Sequence, residues 1–179
     1  ACTNGVSELM TNISSSIVGM LYNFQLMKFA GENGVAAYGV IMYVQFIFIA
    51  VFFGYSIGTA PIVGFNFGAQ RHSELKNMLS KSMLIMISSG VFMMSLAQIL
   101  ASTLARIFVG YDPELMEMTK HAFSLVSFSF ILAGVNIYIS SFFTALNNGV
   151  ISAVVSFLRT LVFQASSVLI LPIFFELDG

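Results

Sequence analysis

Charged residues are scarce in this chain of 179 residues, where Asp, Glu, Lys and Arg together make up 8%. Soluble domains carry about 25% charged residues, so a water-exposed surface could not be covered by this composition. The scarcity therefore argues against a soluble domain. The net charge of −1 also lacks the basic excess on which nucleic-acid binding depends, and no nucleic-acid partner is predicted.

Cysteine and histidine are nearly absent. The single cysteine, Cys2, has no partner in the chain for a disulfide. His72 and His121 lie far apart in sequence, without the spacing of a metal site. No serine has a plausible His and Asp pair near the apolar segments for a hydrolytic triad. The sequence therefore predicts no metal, no cofactor and no enzymatic activity.

Hydrophobic residues, by contrast, make up 58% of the chain, and the mean hydropathy is +0.91. A membrane-spanning helix needs about 20 mostly apolar residues, and five segments satisfy this, at about residues 6–29, 35–64, 78–109, 114–146 and 150–174. They lack the polar–apolar alternation of barrel strands. The prediction is an all-α, multi-pass transmembrane bundle of about five spanning helices, forming one membrane region over residues 1–179.

Turn and cap signals separate these segments. The polar sequence GENG at residues 31–34 ends the first. Asp112, Pro113 and Glu114 form a good helix start, because Asp caps, Pro suits the first turn and Glu meets the positive end of the helix dipole. The sequence NNG at residues 147–149 is a turn signal.

The stretch GYSIGTAPIVGFNFGA at residues 54–69 closes the second apolar segment. Gly54 and Gly58 have the spacing of a face that lets another helix approach closely. Pro61 predicts a helix break, since proline removes one backbone donor and pushes against the carbonyl four residues earlier. Gly68 or Asn66 suits the left-handed residue that ends a helix.

Basic residues are densest just after this stretch, at Arg71, Lys76 and Lys81. Because such loops are retained in the cytoplasm, this loop is predicted to be cytoplasmic, with the chain in a plasma (inner) membrane.

Polar residues recur at three- and four-residue steps within several predicted spans, which places them on one side of each helix. The candidates for a wet substrate cavity are Asn12, Ser15, Tyr22 and Asn23 in the first helix, Asn136 and Tyr138 in the fourth, and Gln164 in the fifth. Such faces turn away from lipid, but small and hydroxyl residues also line dry helix contacts. Both interpretations stay open, and packing is the favoured one for most of the serines.

Glu8 is the carboxylate of the first helix's polar face. An ionisable residue in a membrane is a functional candidate, so coupling to a cation is one hypothesis. Its place near the helix start, where the dipole stabilises an anion, favours a cap or interface role instead.

A family resemblance rests on Gly58, Pro61, Gly64, Asn66, Gly68 and Ala69, in the order G-x-x-P-x-x-G-x-N-x-G-A. This pattern resembles the signature of the MATE multidrug and toxin extrusion transporters, at the cytoplasmic end of the second helix of a six-helix lobe. The residue before the proline is usually glutamine and is Ala60 here. The closing LPIFFELDG is similar to the family's link between its eleventh and twelfth helices.

The resemblance implies a partial second lobe, helices seven to eleven of twelve, whose partners are the first lobe and the lipid bilayer. It implies a secondary antiporter that exports organic cations or drugs in exchange for sodium or protons by alternating access. In some members a coupling carboxylate lies in the fourth helix of this lobe, but no acid occupies the core of the fourth helix here. The alternatives are a flippase for a lipid-linked saccharide, and a channel or structural membrane partner.

Overall fold

The fold is a bundle of helices. The computed structural model describes residues 2–146, 154 and 157–175, and no strand occurs within these ranges. In chain order the elements are α1 (Cys2–Gly68), α2 (His72–Val109), α3 (Pro113–Ser127), α4 (Ser129–Ala145), a π-helical segment (Leu158–Gln164) and α5 (Ala165–Phe175). The predicted all-α bundle is confirmed.

Helix α1 reverses direction at Gly31, whose φ of 62° and ψ of −150° are not helical. This left-handed region of φ is open to glycine and strained for other residues. The rings of Tyr22 and Tyr38 stack with their centroids 5.2 Å apart, whereas a straight helix would separate these residues by about 24 Å. α1 therefore consists of two arms, residues 2–30 and 32–68, that fold back on each other.

Two described helices are long and apolar enough to cross a membrane, α1 over Asn12–Gly68 and α2 over its whole length. The pair α3 and α4 meets the same test together, as a span bent by 48°. The 57 residues of α1 would measure about 85 Å if straight, against a hydrocarbon core of about 30 Å. The reversal at Gly31 thus divides α1 into two lengths, each able to cross.

The helix bounds differ from the predicted ones in three places. α2 begins at His72, six residues before the predicted start, because its polar first turns carry no hydropathy signal. The fourth predicted helix is broken at Phe128. The fifth is π-helical over residues 158–164 before α5 begins, and the predicted turn at residues 147–149 lies outside the described residues.

The start of α3 is capped as predicted. The Asp112 side chain accepts hydrogen bonds from the backbone N–H groups of Glu114 (2.9 Å) and Leu115 (3.2 Å). Pro113 follows in the first turn, where its missing N–H leaves no bond unmade.

The core lies between the second arm of α1, α2 and the α3–α4 pair. Phe48 stacks on Phe130 at 5.2 Å and meets Phe123 edge-on at 6.3 Å. Phe52 lies against Gly134, where an added Cβ would come within 2.8 Å of its ring. The first arm of α1 contacts α5, as the Gln25 amide donates to the carbonyl of Val168 at 3.3 Å.

Helix α2 approaches the backbone of α4 closely at Gly90. A Cβ at Gly90 would lie 2.9 Å from both the Ile131 Cα and the Phe130 carbonyl oxygen. The predicted close-approach face at Gly54 and Gly58 is wrong for contacts within the described chain, because both glycines are exposed and an added Cβ would meet nothing within 4 Å. They lie far around the helix from Phe52, which points into the core.

The loop after α1 is closed by a Schellman motif. The Arg71 N–H donates to the Asn66 carbonyl, and the Gln70 N–H donates to the Phe67 carbonyl, both at 3.0 Å. The left-handed residue is Gln70, with φ of 56°. The prediction of Gly68 or Asn66 for this role is wrong, because both belong to α1.

Gly90→Ala is expected to destabilise the folded protein by about 1–3 kcal/mol, because the added methyl group overpacks the contact and must push the backbones of α2 and α4 apart. The matched control is Gly58→Ala, for which the structure has open space, so that the helix propensity of alanine should leave stability unchanged or raised by up to about 1 kcal/mol. Thermal unfolding of the full-length protein in detergent measures both. Equal loss of stability in both variants would contradict the close packing of α2 against α4 at Gly90.

Gln70→Gly is expected to stabilise the protein by roughly 1 kcal/mol, because glycine adopts the left-handed conformation without a Cβ penalty. Gly68→Ala, at a helical position with nothing near its Cβ, should not destabilise it. Denaturation midpoints of the two variants locate the left-handed residue, and a loss on Gly68→Ala with no gain on Gln70→Gly would place it at residue 68.

Candidate functional site

The signature residues lie at the end of the second arm of α1. Helical dihedral angles continue through Pro61, and the one non-helical residue within α1 is Gly31. The predicted break at Pro61 is therefore wrong. One turn before Pro61, the Thr59 hydroxyl donates to the carbonyls of Tyr55 (3.0 Å) and Ser56 (3.2 Å), whereas the carbonyl that loses its N–H partner to the proline is that of Ile57.

Asn66 connects the signature to α2. Its side-chain amide donates to the Ile62 carbonyl at 2.9 Å and lies 3.7 Å from the Met78 sulfur. Gly64 faces the end of α4, with an added Cβ placed 3.7 Å from the Ala145 carbonyl oxygen. Two residues of the signature thus contact other helices of the lobe, where α1, α2 and α4 meet.

An open groove of about 660 Å³ lies beside this point, lined by Asn66, Gln70, Arg71, His72, Ser73 and Glu74. It is a surface feature of the loop between α1 and α2. None of the seven residues predicted to line a substrate cavity belongs to it.

The polar face of the first arm is exposed. Asn12, Ser15 and Asn23 all lie on the surface of the described structure. The Asn23 amide donates to the Gly19 carbonyl at 2.9 Å, and the Ser16 hydroxyl donates to the Asn12 carbonyl at 3.0 Å. None of the described helices crosses at Gly19, where an added Cβ would meet nothing within 4 Å. This face is therefore not a packed seam between described helices.

The exposed amides form a stripe next to an apolar one. At about 100° per residue, Asn12, Gly19 and Asn23 fall within about 40° of one another, and Met20 and Phe24 lie about 80–120° from Asn12. Met20 and Phe24 are 71% and 72% exposed. One helix surface thus presents an amide stripe and a lipid-compatible stripe side by side.

The remaining candidates divide between surface and core. Asn136 and Gln164 are exposed, and Tyr22 is half-buried by its stacking on Tyr38. Tyr138 is 1% exposed and packs against Tyr55 and Phe142. It is therefore a core residue in this conformation and not part of the exposed polar surface.

Three buried hydroxyls, those of Ser56, Thr119 and Tyr138, have no hydrogen-bond partner within the described residues. The carbonyl of Ser56 does have partners, from Thr59 and, at 3.4 Å, from Ser141 of α4. Hydroxyls concentrate at this meeting of α1 and α4, where Tyr55 also shares a hydrogen bond of 3.0 Å with Ser82 of α2.

Sequence reasoning missed Gln98. Its side-chain amide donates to the carbonyl of Ser124 (2.9 Å) and to the hydroxyl of Ser127 (2.7 Å), and its oxygen accepts from the Ser124 hydroxyl (2.8 Å). The signal was present, since an amide in the middle of an apolar helix requires several partners.

The side chain of Glu8, the predicted cap or coupling residue, lies outside the described part of the structure, as does that of Arg159 in the π-helical segment. Among the residues described, no group of three or more His, Cys, Asp or Glu residues could hold a metal ion.

Comparison with known proteins identifies the family. The MatE family model matches residues 9–169, and no curated protein matches. The fold is similar to that of a MATE solved as a crystal structure in complex with MaL6, with a TM-score of 0.84 and 20% sequence identity over 97% of this chain. The match covers 39% of that solved chain, so this chain spans less than half of its length. With the family model matching most of its residues, this chain belongs to the MatE family of membrane transporters.

Proposed function

We propose that this chain is the larger part of the second lobe of a secondary antiporter that exports organic cations or drugs in exchange for sodium or protons. The MatE family match and the coverage of 39% of a solved MATE support a longer protein with a first lobe. The proposed site of action is a plasma (inner) membrane, with the Arg71–Lys76 loop on the cytoplasmic side.

The observation that carries the proposal is the exposed amide stripe of the first arm. Asn12 and Asn23 lie on the surface of a bundle whose other exposed side chains are largely apolar. An amide that faces hydrocarbon without a full set of partners is costly. A stripe of amides beside an apolar stripe therefore favours a helix at the border between lipid and a wet cavity, which a first lobe would complete.

The Gln164 amide, which is exposed on the π-helical segment, extends the same argument there. Asn136 is exposed on α4. Helix α4 contains no Asp, Glu, Lys or Arg, so its side of the proposed cavity offers amides, hydroxyls and aromatic rings. Such a lining suits large cations, which aromatic faces attract, better than it suits the pyrophosphate of a lipid-linked saccharide.

Single cysteines at Asn12 and Asn23 are expected to react with a water-soluble thiol reagent in the full-length protein, because water reaches a cavity face in at least one state of transport. Cysteines at Met20 and Phe24 are the matched controls. They should react at least several-fold more slowly, since thiolate does not form in lipid. A transported organic cation such as ethidium should protect Asn12 and Asn23.

Equal inertness at all four positions would place the first arm in a dry contact between lobes. Reaction of the cysteines at positions 12 and 23 without protection by any cation would support a water-filled cavity but contradict organic cations as its substrates. Uptake of counter-ions in reconstituted vesicles separates an antiporter from a channel, because only the antiporter couples export to a sodium or proton gradient.

Glu8→Gln is expected to leave the sodium and pH dependence of export intact, because Glu8 lies near the start of α1, which begins at Cys2, and not in the middle of a span, where an ionisable residue is a functional candidate. Glu8 follows the first turn of α1, beyond which the helix dipole has little effect, so stability should fall by no more than a few tenths of a kcal/mol. Export against pH and sodium in vesicles of wild type and variant measures this. A profile that becomes flat in the variant alone would move the coupling site to Glu8.

A further inference from the structure

The bend between α3 and α4 has no proline or glycine to explain it. Sharp kinks arise at Pro, at Gly or Ser pairs, at π-bulges, or where a side chain enters the backbone ladder. The 48° bend occurs at Phe128, between Ser127 and Ser129. The cause must therefore lie in the serines and in whatever enters the ladder.

The regular i→i−4 pattern of backbone hydrogen bonds is interrupted at the bend. In a regular α-helix the Phe128 N–H would donate to the carbonyl of Ser124. Here it donates to the carbonyl of Leu125 at 3.3 Å, and the Ile131 N–H donates in the same three-residue pattern to Phe128 at 3.4 Å. The Ser124 carbonyl is thereby released from the ladder.

Side chains take the place of the lost donor. The Ser124 carbonyl accepts from the Gln98 amide at 2.9 Å and from the Ser127 hydroxyl at 2.6 Å. The Ser129 hydroxyl donates to the Val126 carbonyl at 2.7 Å. Ser127 is fully buried, whereas Ser129 is exposed. Gln98 is the one donor among them that comes from another helix.

Gln98 and the Phe128 N–H therefore compete for a single acceptor. When Gln98 occupies the Ser124 carbonyl, the helix is bent. When the Phe128 N–H occupies it, the ladder is regular and the helix straightens. The Ser124 carbonyl has a donor in each state, as a carbonyl within lipid requires.

The contacts around the bend act on its two sides. Gly90 of α2 meets the backbone at Phe130 and Ile131, just after the bend, and Gln98 of the same helix binds Ser124 and Ser127, just before it. From α1, Phe48 touches Phe123 on one side and Phe130 on the other. These contacts therefore lie on both sides of Phe128.

We propose that Phe128 is a hinge in the α3–α4 span and that the Gln98 side chain is the latch that holds its bent state. The inference concerns the backbone of this lobe and does not depend on which substrate or ion the protein carries.

The test is a distance between spin labels at Glu114 of α3 and Ile139 of α4, measured by double electron–electron resonance in an otherwise cysteine-free full-length protein. With a rise of 1.5 Å per residue, straightening the 48° bend lengthens this distance by about 3 Å. Gln98→Met keeps the length of the side chain and removes its donor. We expect it to shift the distribution toward the longer distance.

Ser124→Ala is the second variant, because it removes the hydroxyl that orients Gln98 and keeps the contested carbonyl. It should produce a smaller shift in the same direction, and it decides the matter if Gln98→Met does not fold. Ser95→Ala is the matched control on α2, since the Ser95 hydroxyl bonds only within its own helix, to the Val91 carbonyl. Distributions of Gln98→Met and Ser124→Ala that superimpose on wild type, or that shorten, would overturn the latch.

Discussion

Satisfaction of backbone hydrogen bonds inside hydrocarbon is the constraint on which this structure depends. No water is available there to replace a lost partner, so each interruption of a helix must carry its own donors. At Phe128 the donors are Gln98 and two serine hydroxyls. At the end of α1, the Schellman motif after Gly68 pairs two of the last backbone carbonyls in the same way. The polar side chains of the described spans therefore act first as substitutes for backbone groups.

Small residues set the distances between helices, and rotation around the helix decides which of them do so. Gly90 and Gly134 face backbone and ring atoms at less than 3 Å from an added Cβ, whereas Gly54 and Gly58 face open space. The four-residue spacing of Gly54 and Gly58 therefore does not by itself bring another helix close. What differs is the direction of each helix face, which follows from large neighbours such as Phe52 that point into the core.

Local signals in the sequence predicted the fold well, because they need no partner. Asp112 and Pro113 predict a helix start through atoms of the same turn, and the structure has that cap. Non-local features could not be found this way. Gln70 adopts the left-handed role although Gly68 is nearby, because the ladder runs two residues further. The role of Gln98 cannot be predicted from its own helix, because its hydrogen-bond partner Ser124 lies on another helix that packs against α2. The predicted break at Pro61 followed from the general effect of proline on helices, but the dihedral angles of α1 stay helical there.

The close packing of α4 at Gly90 and Gly134 also determines which part of the bent span is free to move. α4 is held against α2 at Gly90 and against Phe52 at Gly134, where even an added Cβ would lie 2.8–2.9 Å from a neighbouring atom. α3 meets α2 chiefly through the reversible bonds of Gln98 and through apolar side chains, which slide more easily than interlocked backbones. Any change of angle at Phe128 should therefore swing α3 together with its capped start at Asp112, while α4 and the end of α1 stay fixed. Gln98 binds α3, the helix that is expected to move, so loss of its hydrogen bonds should change the angle at Phe128.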